Sequence, residues 1–321
     1  MSHLTREQRY TISSMLQNGY NQKEIALVIT KDKSSREIRR NADARSGVYR
    51  DDLAHRKYLK RQEYKAKTRT FTPEVEEYVR DRLRLKHSPE QIAGVAKKNG
   101  DKCVSHERIY QFIWQDKRKK GTLYLDLRNR GRRYKKRSVI YDKRGIIPNR
   151  TDISQRPPEV ELRERFGDLE IDLIIGKNHK NAILTINDRA TGLAKLKKLA
   201  GKDAEQLAVA TINCLKDWKP FLHTITSDYG KEFSSHQMIA RVLNIDFFFA
   251  KPFASWQRGS NENYNRLVRQ YIPKKVDFDY ITHDFVHYVE QQLNNRPRKR
   301  FGYLSPNQIV SRIWNPFEKS G

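Results

Sequence analysis

The stretch "GDLEIDLIIG", residues 167–176, decides the fold of this chain. In an extended strand, successive side chains point to opposite faces. Asp168, Glu170 and Asp172 therefore share one face of a strand that is otherwise apolar. The other face carries Leu169, Ile171, Leu173 and Ile175. Three carboxylates on one face, in a chain of net charge +27, form a candidate site, and periodicity does not choose among them.

From residue 166 onward the chain alternates between strand and helix patterns. "LEIDLIIG", "NAILTIND" and "GLAKLKKL" predict three consecutive strands. "DAEQLAVATINCLKDW" predicts an amphipathic helix, followed by the strand "LHTITSD", the helix "SHQMIARVL", the strand "IDFFFA" and the helix "GSNENYNRLVRQYI". This order predicts a mixed five-stranded sheet with helices packed on it, an α/β domain.

The positive charge lies mainly in the N-terminal half. Residues 1–150 contain 39 Lys and Arg against 18 Asp and Glu, whereas the remainder contains 26 against 20. A basic half favours a polyanionic partner, and double-stranded DNA is our interpretation. A basic solubility tail is the alternative, but periodic apolar segments argue against low complexity.

Residues 4–42 predict three short helices in a helix-turn-helix arrangement, in which the last helix enters the major groove. A plain three-helix bundle with a charged, solvated face is the alternative. The candidate DNA contacts on the third helix are Ser34, Ser35, Arg36, Arg39 and Arg40.

Residues 72–115 repeat the three-helix pattern and predict a second DNA-binding module. Its candidate contacts are Ser105, His106, Arg108 and Gln111. Residues 117–137 hold 11 Lys and Arg against one acid, which is typical of a solvated linker with affinity for phosphates. The candidate contacts within it are Lys135, Lys136 and Arg137.

These patterns predict a multidomain chain with all-α N-terminal modules and an α/β domain. The predicted segments are a first helix-turn-helix module over 1–45, a linker over 46–71, a second module over 72–116, a basic linker over 117–150 and the α/β domain over 151–321. We expect a cytoplasmic, nucleoid-associated protein without membrane contact, because no apolar run approaches the ~20 residues of a membrane helix and "MSHLTREQRY" lacks the apolar centre of a signal peptide. Two distant cysteines suit a reducing compartment.

Two further acids occupy positions suited to a shared site. Asp228 ends the predicted strand in "TITSDYGKEF", and Glu262 lies on a predicted helix whose same face carries Arg266 and Arg269. Taken singly, Asp228 is typical of a turn and Glu262 of a surface ion pair. Together with the strand acids they favour metal-dependent phosphoryl chemistry, in which two Mg²⁺ ions, or Mn²⁺ as a substitute, take carboxylate ligands. Arg266 and Arg269 are candidate DNA contacts, because guanidinium groups match phosphate geometry.

Several segments resemble the DDE transposases of the bacterial insertion sequence thirty family over nearly the whole chain. "RFGDLEIDLIIGK", "TSDYGKEFSSH" and "SWQRGSNENYNRLVRQYIPK" are similar to the three acid-bearing segments, and "LNNRPRKRFGYLSP" to the C-terminal motif. The resemblance implies that Asp172, Asp228 and Glu262 are the catalytic metal ligands. Thirty-three residues separate the last two acids, as is typical of that family. It also implies a ribonuclease H-like catalytic domain.

Three positions depart from the family pattern. Leu169 replaces a usual tryptophan, Ile171 a usual small residue, and Tyr229 an asparagine common after the second aspartate. None removes a carboxylate, so an active enzyme is expected, with Tyr229 bordering the metal site.

The resemblance implies a transposase that binds the terminal inverted repeats of its element and catalyses strand cleavage and strand transfer. Joining two ends implies a homodimer or a higher oligomer on DNA. The alternatives are a helix-turn-helix regulator without catalysis, including a transposase relic, and a structure-selective nuclease or resolvase on the same fold. Intact acids argue against the first, and two sequence-reading modules argue against the second.

Overall fold

The computed structural model describes residues 4–30, 34–64, 71–130, 147–177, 180–252, 254–274 and 276–314. The chain divides into two compact units, Met1–Arg69 and Thr70–Gly321. The first unit is helical, and the second combines helices with a mixed sheet.

The first unit contains four helices among its described residues. They are α1 (Arg6–Gln17), α2 (Gln22–Val28), α3 (Ser34–Asn41) and α4 (Asp51–Tyr64). Capping boxes start α1 at Thr5 and α2 at Asn21: each cap side chain accepts from the backbone N–H three residues later, and each cap backbone N–H donates to the side chain of that same residue. The three helices predicted over residues 4–42 are present.

Helix α4 lies within the stretch 46–71 for which the sequence predicts a linker. Tyr49 and Ala54 are buried in the same apolar cluster as Ile12 and Ile25. The residues that follow α3 therefore complete the small core of this unit. The sequence pattern missed this contribution because α4 carries charges around most of its circumference.

The second unit begins with three helices of the predicted second module. They are α5 (Pro73–Arg84), α6 (Pro89–Asn99) and α7 (His106–Arg118). Thr72, Ser88 and Ser105 cap their N-termini through side-chain oxygens. A core with Val79, Ile92, Ile109 and Ile113 holds the three helices together; all four side chains are fully buried.

The rest of the second unit is an α/β domain, whose elements continue along the chain in the following order. They are β1 (Thr151–Asp152), α8 (Glu159–Leu162), β2 (Asp168–Ile175), β3 (Ala182–Asp188), β4 (Ala194–Leu199), α9 (Ala204–Leu215), β5 (Thr224–Ser227), α10 (His236–Leu243), β6 (Asp246–Phe249), α11 (Gly259–Tyr271), α12 (His283–Asn294) and α13 (Pro306–Trp314).

The sheet has six strands in the order β1-β6-β5-β2-β3-β4. Strands β2, β3 and β4 form an antiparallel meander, whereas β5 pairs with β2, β6 with β5 and β1 with β6 in parallel. The prediction of a mixed sheet is confirmed, but the prediction of five strands is wrong. The missed strand β1 consists of two residues, Thr151 and Asp152, too short to produce an alternating pattern.

Both faces of the sheet are covered by helices. Leu169, Ile171 and Leu173 of β2 belong to a core that includes residues of α9 and α10. Ile174 of β2 belongs to a second core with Tyr264 and other residues of α11 and α12. The acidic face of β2 is thus the face covered by α11, and this places the three acids beneath a helix.

The helices α5–α7 and the α/β domain are joined by direct contacts within the second unit. Gln91 Nε2 donates to Pro297 O at 2.6 Å, and Gln270 Nε2 donates to Asp126 O at 2.7 Å. A Cβ on Gly94 would lie within 2.4 Å of the ring of Tyr303, so only glycine allows this approach. None of the helices in the described ranges has the length and apolar character needed to span a membrane.

Candidate active site

The three acids of β2 have different partners, beginning with Asp168. Arg165 donates to it through Nε at 2.7 Å and through Nη2 at 3.1 Å, and the Thr224 hydroxyl donates to Oδ1 at 2.8 Å. The side chain is 2% exposed. Asp168 therefore connects β2 to the preceding loop and to β5, with both carboxylate oxygens occupied by donors.

Glu170 is fully buried and connects β2 to two other elements. Arg189 Nη1 donates to Oε1 at 2.7 Å, and the backbone N–H of Asn261 donates to Oε2 at 2.7 Å. Asn261 lies in the first turn of α11, so this carboxylate caps the helix that carries Glu262. Burial raises the pKa of Glu170, and the charge of Arg189 opposes that rise.

Asp172 has weaker partners and a more open position. Its Oδ1 accepts from the Leu173 N–H and its Oδ2 from Asn265 Nδ2, both at 2.9 Å. Its only ion pair among the described residues is with Arg258, at 3.6 Å between Nη1 and Oδ2. The side chain is 23% exposed. Asp172 thus lies at the edge of the buried face, under α11.

Asp228 follows β5 directly and shares the same arginine. Arg258 Nη2 lies 3.5 Å from Asp228 Oδ2, and Arg258 Nη1 also donates to Ile171 O at 3.1 Å. The other carboxylate oxygen, Asp228 Oδ1, is buried and has no hydrogen-bond partner among the described residues. One guanidinium group therefore bridges the carboxylates of Asp172 and Asp228.

Asp172 lies close enough to other carboxylates for their negative charges to affect its pKa. Burial raises the pKa of Asp172 to about 6; the Arg258 guanidinium lowers it, and the charges of Asp228 and Glu232 raise it. The carboxylate of Glu232 folds back over Gly230, where a Cβ would come within 2.7 Å of it. Additional positive charge at this position would stabilise the ionised acids.

Glu262 lies on α11 with its side chain 31% exposed. Arg266 Nη2 donates to it at 2.7 Å across one helical turn. No three His, Cys, Asp or Glu side chains in the described part of the chain are close enough together to hold a metal ion. The structure thus brings Asp172 and Asp228 together through Arg258 without assembling a three-acid metal site in the described part of the chain.

The residues around Asp172 and Asp228 fit a hard cation in their donor chemistry. Asp228 Oδ1 and Asn265 Oδ1 are both buried oxygens without a partner among the described atoms. Buried polar atoms without partners are rare in native proteins, and here they accompany two carboxylates whose shared counter-charge is a single arginine. Carboxylate and amide oxygens are the ligands that Mg²⁺ accepts.

The sequence predicts that Tyr229 borders the metal site, but in the structure its side chain points away from the acids. Its side chain is buried in the apolar core, edge-to-face with Phe249, and its hydroxyl accepts from the Ile147 N–H at 3.2 Å. Arg150 lies over its ring at 4.4 Å. The expectation failed because Tyr229 comes directly after Asp228, and successive side chains of an extended segment point to opposite faces.

Sequence reasoning missed three residues of this site: Arg258, Asn265 and Glu232. Asn265 lies three positions after Glu262, and such residues are neighbours on a helix, so its place beside the acids had a signal. Glu232 lies in the same loop as Asp228. Arg258 precedes α11 and had no signal of its own, because its position depends on the packing of that helix against β2.

The predicted DNA contacts of the first module lie on α3, where Ser35, Arg36, Arg39 and Arg40 are exposed. Ser34 is the first residue of that helix. In the second module Ser105 caps α7, and the Arg108 guanidinium lies 5.1 Å from the ring centre of Phe71. His106 pairs with Glu107, and Gln111 is exposed.

Of the remaining predicted DNA contacts, the structure describes Arg269 but not the three residues of the basic linker. Arg269 donates to the carbonyls of Ile175 and Pro273, which ties α11 to the end of β2. Lys135, Lys136 and Arg137 of the basic linker lie outside the described residues. DNA binding by all of these residues stays a prediction.

Comparison with known proteins gives relatives over nearly the full chain. It is 52% identical over 315 residues to the transposase for insertion sequence element IS4351 of Bacteroides fragilis, covering 98% of this chain and 97% of the relative. It is 30% identical over 327 residues to transposase InsI for insertion sequence element IS30A of Escherichia coli, covering 97% and 84%. No family model matches the chain.

Among solved structures, the chain is similar to the catalytic core domain of BIV integrase. It aligns with a TM-score of 0.38 at 18% identity over 47% of this chain and 98% of that domain.

The identity over nearly the full length defines the class of protein, a transposase of an insertion sequence. More particularly, the chain belongs to the insertion sequence thirty family of these transposases.

Proposed function

We propose that the α/β domain is a ribonuclease H-like DDE catalytic domain that cleaves and joins DNA strands at the ends of its insertion sequence. Asp172, Asp228 and Glu262 are the proposed catalytic and metal-binding residues. Water, and then a freed 3′-hydroxyl, attacks a DNA phosphorus in this scheme. The water step breaks one phosphodiester bond and releases a 3′-hydroxyl and a 5′-phosphate, the strand-transfer step exchanges one phosphodiester bond for another, and neither step needs a redox partner.

The single observation that supports this proposal is the pair of acids bridged by Arg258. Asp172 and Asp228 come from different strands, share one guanidinium at 3.5 to 3.6 Å, and have an unpartnered buried oxygen beside them. A structural ion pair would be shorter and would satisfy both oxygens, as at Glu170. The arrangement supports a site whose counter-charge changes during function.

The proposed ligands are the two aspartates, with Glu262 approaching from α11. Divalent cations bound there supply neutralising charge for the phosphodiester and stabilise the attacking and leaving oxygens. Asn265 keeps Asp172 in place through its 2.9 Å hydrogen bond, and Glu170 fixes the first turn of α11. Arg266, exposed beside Glu262, is the proposed contact to the substrate backbone.

The helical modules are the proposed readers of the terminal inverted repeats. The exposed arginines of α3 carry the charge and the reach that major-groove contacts need. Since strand transfer joins two element ends, at least two copies of the chain act together on DNA. Target DNA is the second duplex bound.

The experiment is a strand-cleavage and strand-transfer assay on labelled element-end DNA, with Mg²⁺ or Mn²⁺. We expect Asp228→Asn and Glu262→Gln each to lower the rate at least about a thousandfold, because several kcal/mol of charge stabilisation is lost and each 1.36 kcal/mol is tenfold. DNA binding by both variants should remain. Wild-type protein that binds element ends and yields no metal-dependent product would favour the regulator instead.

A further inference from the structure

The C-terminal motif "LNNRPRKRFGYLSP" has no role in the proposed chemistry, yet it lines a cavity beside the active-site helix. The cavity has a volume of about 440 Å³ and lies between α6, the start of α11 and the loop that follows α12. Six cationic side chains line it: Arg128, Arg163, Arg296, Arg298, Lys299 and Arg300. No Asp or Glu is among the described residues of its lining.

The arginines of the motif have neutral partners only. Arg296, 3% exposed, donates to the side-chain oxygens of Gln91 and Gln270. Arg298 donates to the Leu293 carbonyl, and Arg300 to the carbonyls of Arg189 and Ala190. Among the described residues none of these three guanidinium groups forms an ion pair, and only Lys299 has one, with exposed Glu90.

The cost of this cluster in the absence of an anion falls on its buried member, Arg296, because Arg128, Arg163, Lys299 and Arg300 are exposed. Charged groups in protein interiors are almost always paired with an opposite charge, because desolvation is not repaid by neutral acceptors alone. Burial lowers the pKa of Arg296 and of Arg298 to about 10, and each is lowered further by the charge of Arg128. Arg296 and Arg298 are therefore repelled by neighbouring cations, whereas the carboxylates of Asp188 and Glu170 attract Arg300 from outside the cavity lining.

A second, independent feature of the cavity is a buried donor without an acceptor. Tyr264 is 2% exposed and lines the cavity, and its hydroxyl has no hydrogen-bond partner among the described residues. The Ser260 hydroxyl, in the first turn of α11, is likewise buried without a partner.

These groups together match one ligand chemistry, a phosphate with several acceptor oxygens. Guanidinium groups bind phosphate oxygens in pairs, and hydroxyl donors complete the contacts. Asn263 also lines the cavity, follows Glu262 directly, and accepts from Arg128 Nη2 at 2.8 Å. A phosphate in the cavity would thus lie against the same two helical turns as the third proposed catalytic acid.

We propose that this cavity binds a backbone phosphate of the DNA strand that passes the active site. The inference rests on the proposed function for the identity of the DNA, and it assigns the motif a task of its own. Gln91 of the second module and Arg128 of the segment after α7 line one side of the cavity, and the motif residues Arg296, Arg298, Lys299 and Arg300 line the other. A bound phosphate would link these two parts of the unit and hold the strand in register.

The test measures the affinity of the full chain for duplex DNA as a function of salt, in EDTA so that metal chemistry plays no part. Arg128→Gln and Arg300→Gln should each reduce the slope of log affinity against log salt, and together by about 0.9, because one neutralised phosphate contributes about 0.9 to the slope. Arg241→Gln, an exposed arginine of α10 on the opposite side of the sheet, is the matched control and should keep the wild-type slope.

A conservative variant covers the case in which an arginine variant fails to fold. Tyr264→Phe keeps the buried ring and removes only the hydroxyl, so we expect DNA affinity to fall about tenfold with the slope unchanged. Inorganic phosphate should raise the midpoint of thermal unfolding of the wild type more than that of Tyr264→Phe.

Two outcomes would overturn the proposal. One is wild-type DNA binding in all three cavity variants. The other is stabilisation by inorganic phosphate with an unaltered DNA slope, which would mean that the cavity takes a free anion instead. Failure of the wild type to bind duplex DNA at all would count against the proposed function as well. If the wild type binds DNA and the cavity variants leave the slope unchanged, only the proposed role of the cavity is rejected.

Discussion

Two pairs of acids in the α/β domain, three of whose four members lie on one face of β2, have opposite physical situations. The paired acids, Asp168 and Glu170, have donors at 2.7 to 3.1 Å on every carboxylate oxygen and are almost fully buried. The bridged acids, Asp172 and Asp228, share one arginine at 3.5 to 3.6 Å and are 23% and 30% exposed.

This contrast in hydrogen bonding distinguishes the carboxylates that stabilise the fold from those that are available for chemistry. Glu170 fixes Arg189 and caps α11, so its charge is already used within the protein. Asp228 keeps a buried oxygen without a partner, so its environment is incomplete among the described residues. Saturated hydrogen bonding indicates a structural role, and incomplete hydrogen bonding at a cleft indicates a functional one.

The largest expected effect on stability comes from removing one of the paired acids from its buried arginine partner. Glu170→Ala should lower the free energy of unfolding by about 3–5 kcal/mol, because it leaves the buried Arg189 without its close buried partner. Urea unfolding followed by circular dichroism would measure this. Glu76→Ala is the control: it removes the carboxylate that pairs with Arg80 where both side chains are more than a third exposed, so we expect a loss of less than about 1 kcal/mol. Equal losses in the two variants would contradict the contrast.

A smaller effect is expected from the arginine that bridges the second pair. Arg258→Gln should lower the metal-free unfolding midpoint modestly, because the carboxylates of Asp172 and Asp228 lose their shared cation. The same variant should bind Mn²⁺ about tenfold more tightly, a change of about 1.4 kcal/mol, since the ion no longer competes with the guanidinium.

Titration calorimetry with Mn²⁺ would measure that affinity. Arg258→Lys, which keeps a positive charge, is the control and should remain close to the wild type. Weaker Mn²⁺ binding by Arg258→Gln would mean that the arginine helps to form the ion site instead of competing for it.

Substitutions in the basic linker are expected to affect the two pairs of acids least of all the changes considered. Replacing Lys135, Lys136 and Arg137 with Ala should flatten the salt dependence of DNA binding by about 2.7 in slope, at roughly 0.9 for each lost phosphate contact. Thermal stability should not change, and neither pair of acids is altered. Filter binding over a range of salt concentrations would show this, and an unchanged slope would place that stretch in solvent.

Much of the fold follows from local patterns in the sequence. The alternation in "LEIDLIIG" and the apolar run in "NAILTIND" predict β2 and β3, and the repeated three-helix pattern of residues 72–115 predicts α5, α6 and α7. Strand β1 escaped because two residues carry no period, and α4 because its burial depends on Tyr49 and Ala54 fitting against a distant helix.

The candidate site was predictable only in part. Periodicity places Asp168, Glu170 and Asp172 on one face but gives each the same weight, and the choice of Asp172 came from the family resemblance. In the structure each acid has a different neighbour: Arg165 contacts the first, the N-terminus of α11 the second and Arg258 the third. Those approaches are tertiary contacts between distant segments, which no local pattern contains.

The measurement that tests the central claim most directly compares Asp168→Asn with Asp172→Asn, two equal changes on the same strand face. Strand transfer per folded molecule and the midpoint of thermal unfolding would be measured on the same preparations. The contrast predicts that Asp172→Asn abolishes strand transfer without lowering the midpoint, whereas Asp168→Asn lowers the midpoint and retains strand transfer. An active Asp172→Asn variant, or a loss of strand transfer in a fully stable Asp168→Asn variant, would contradict it.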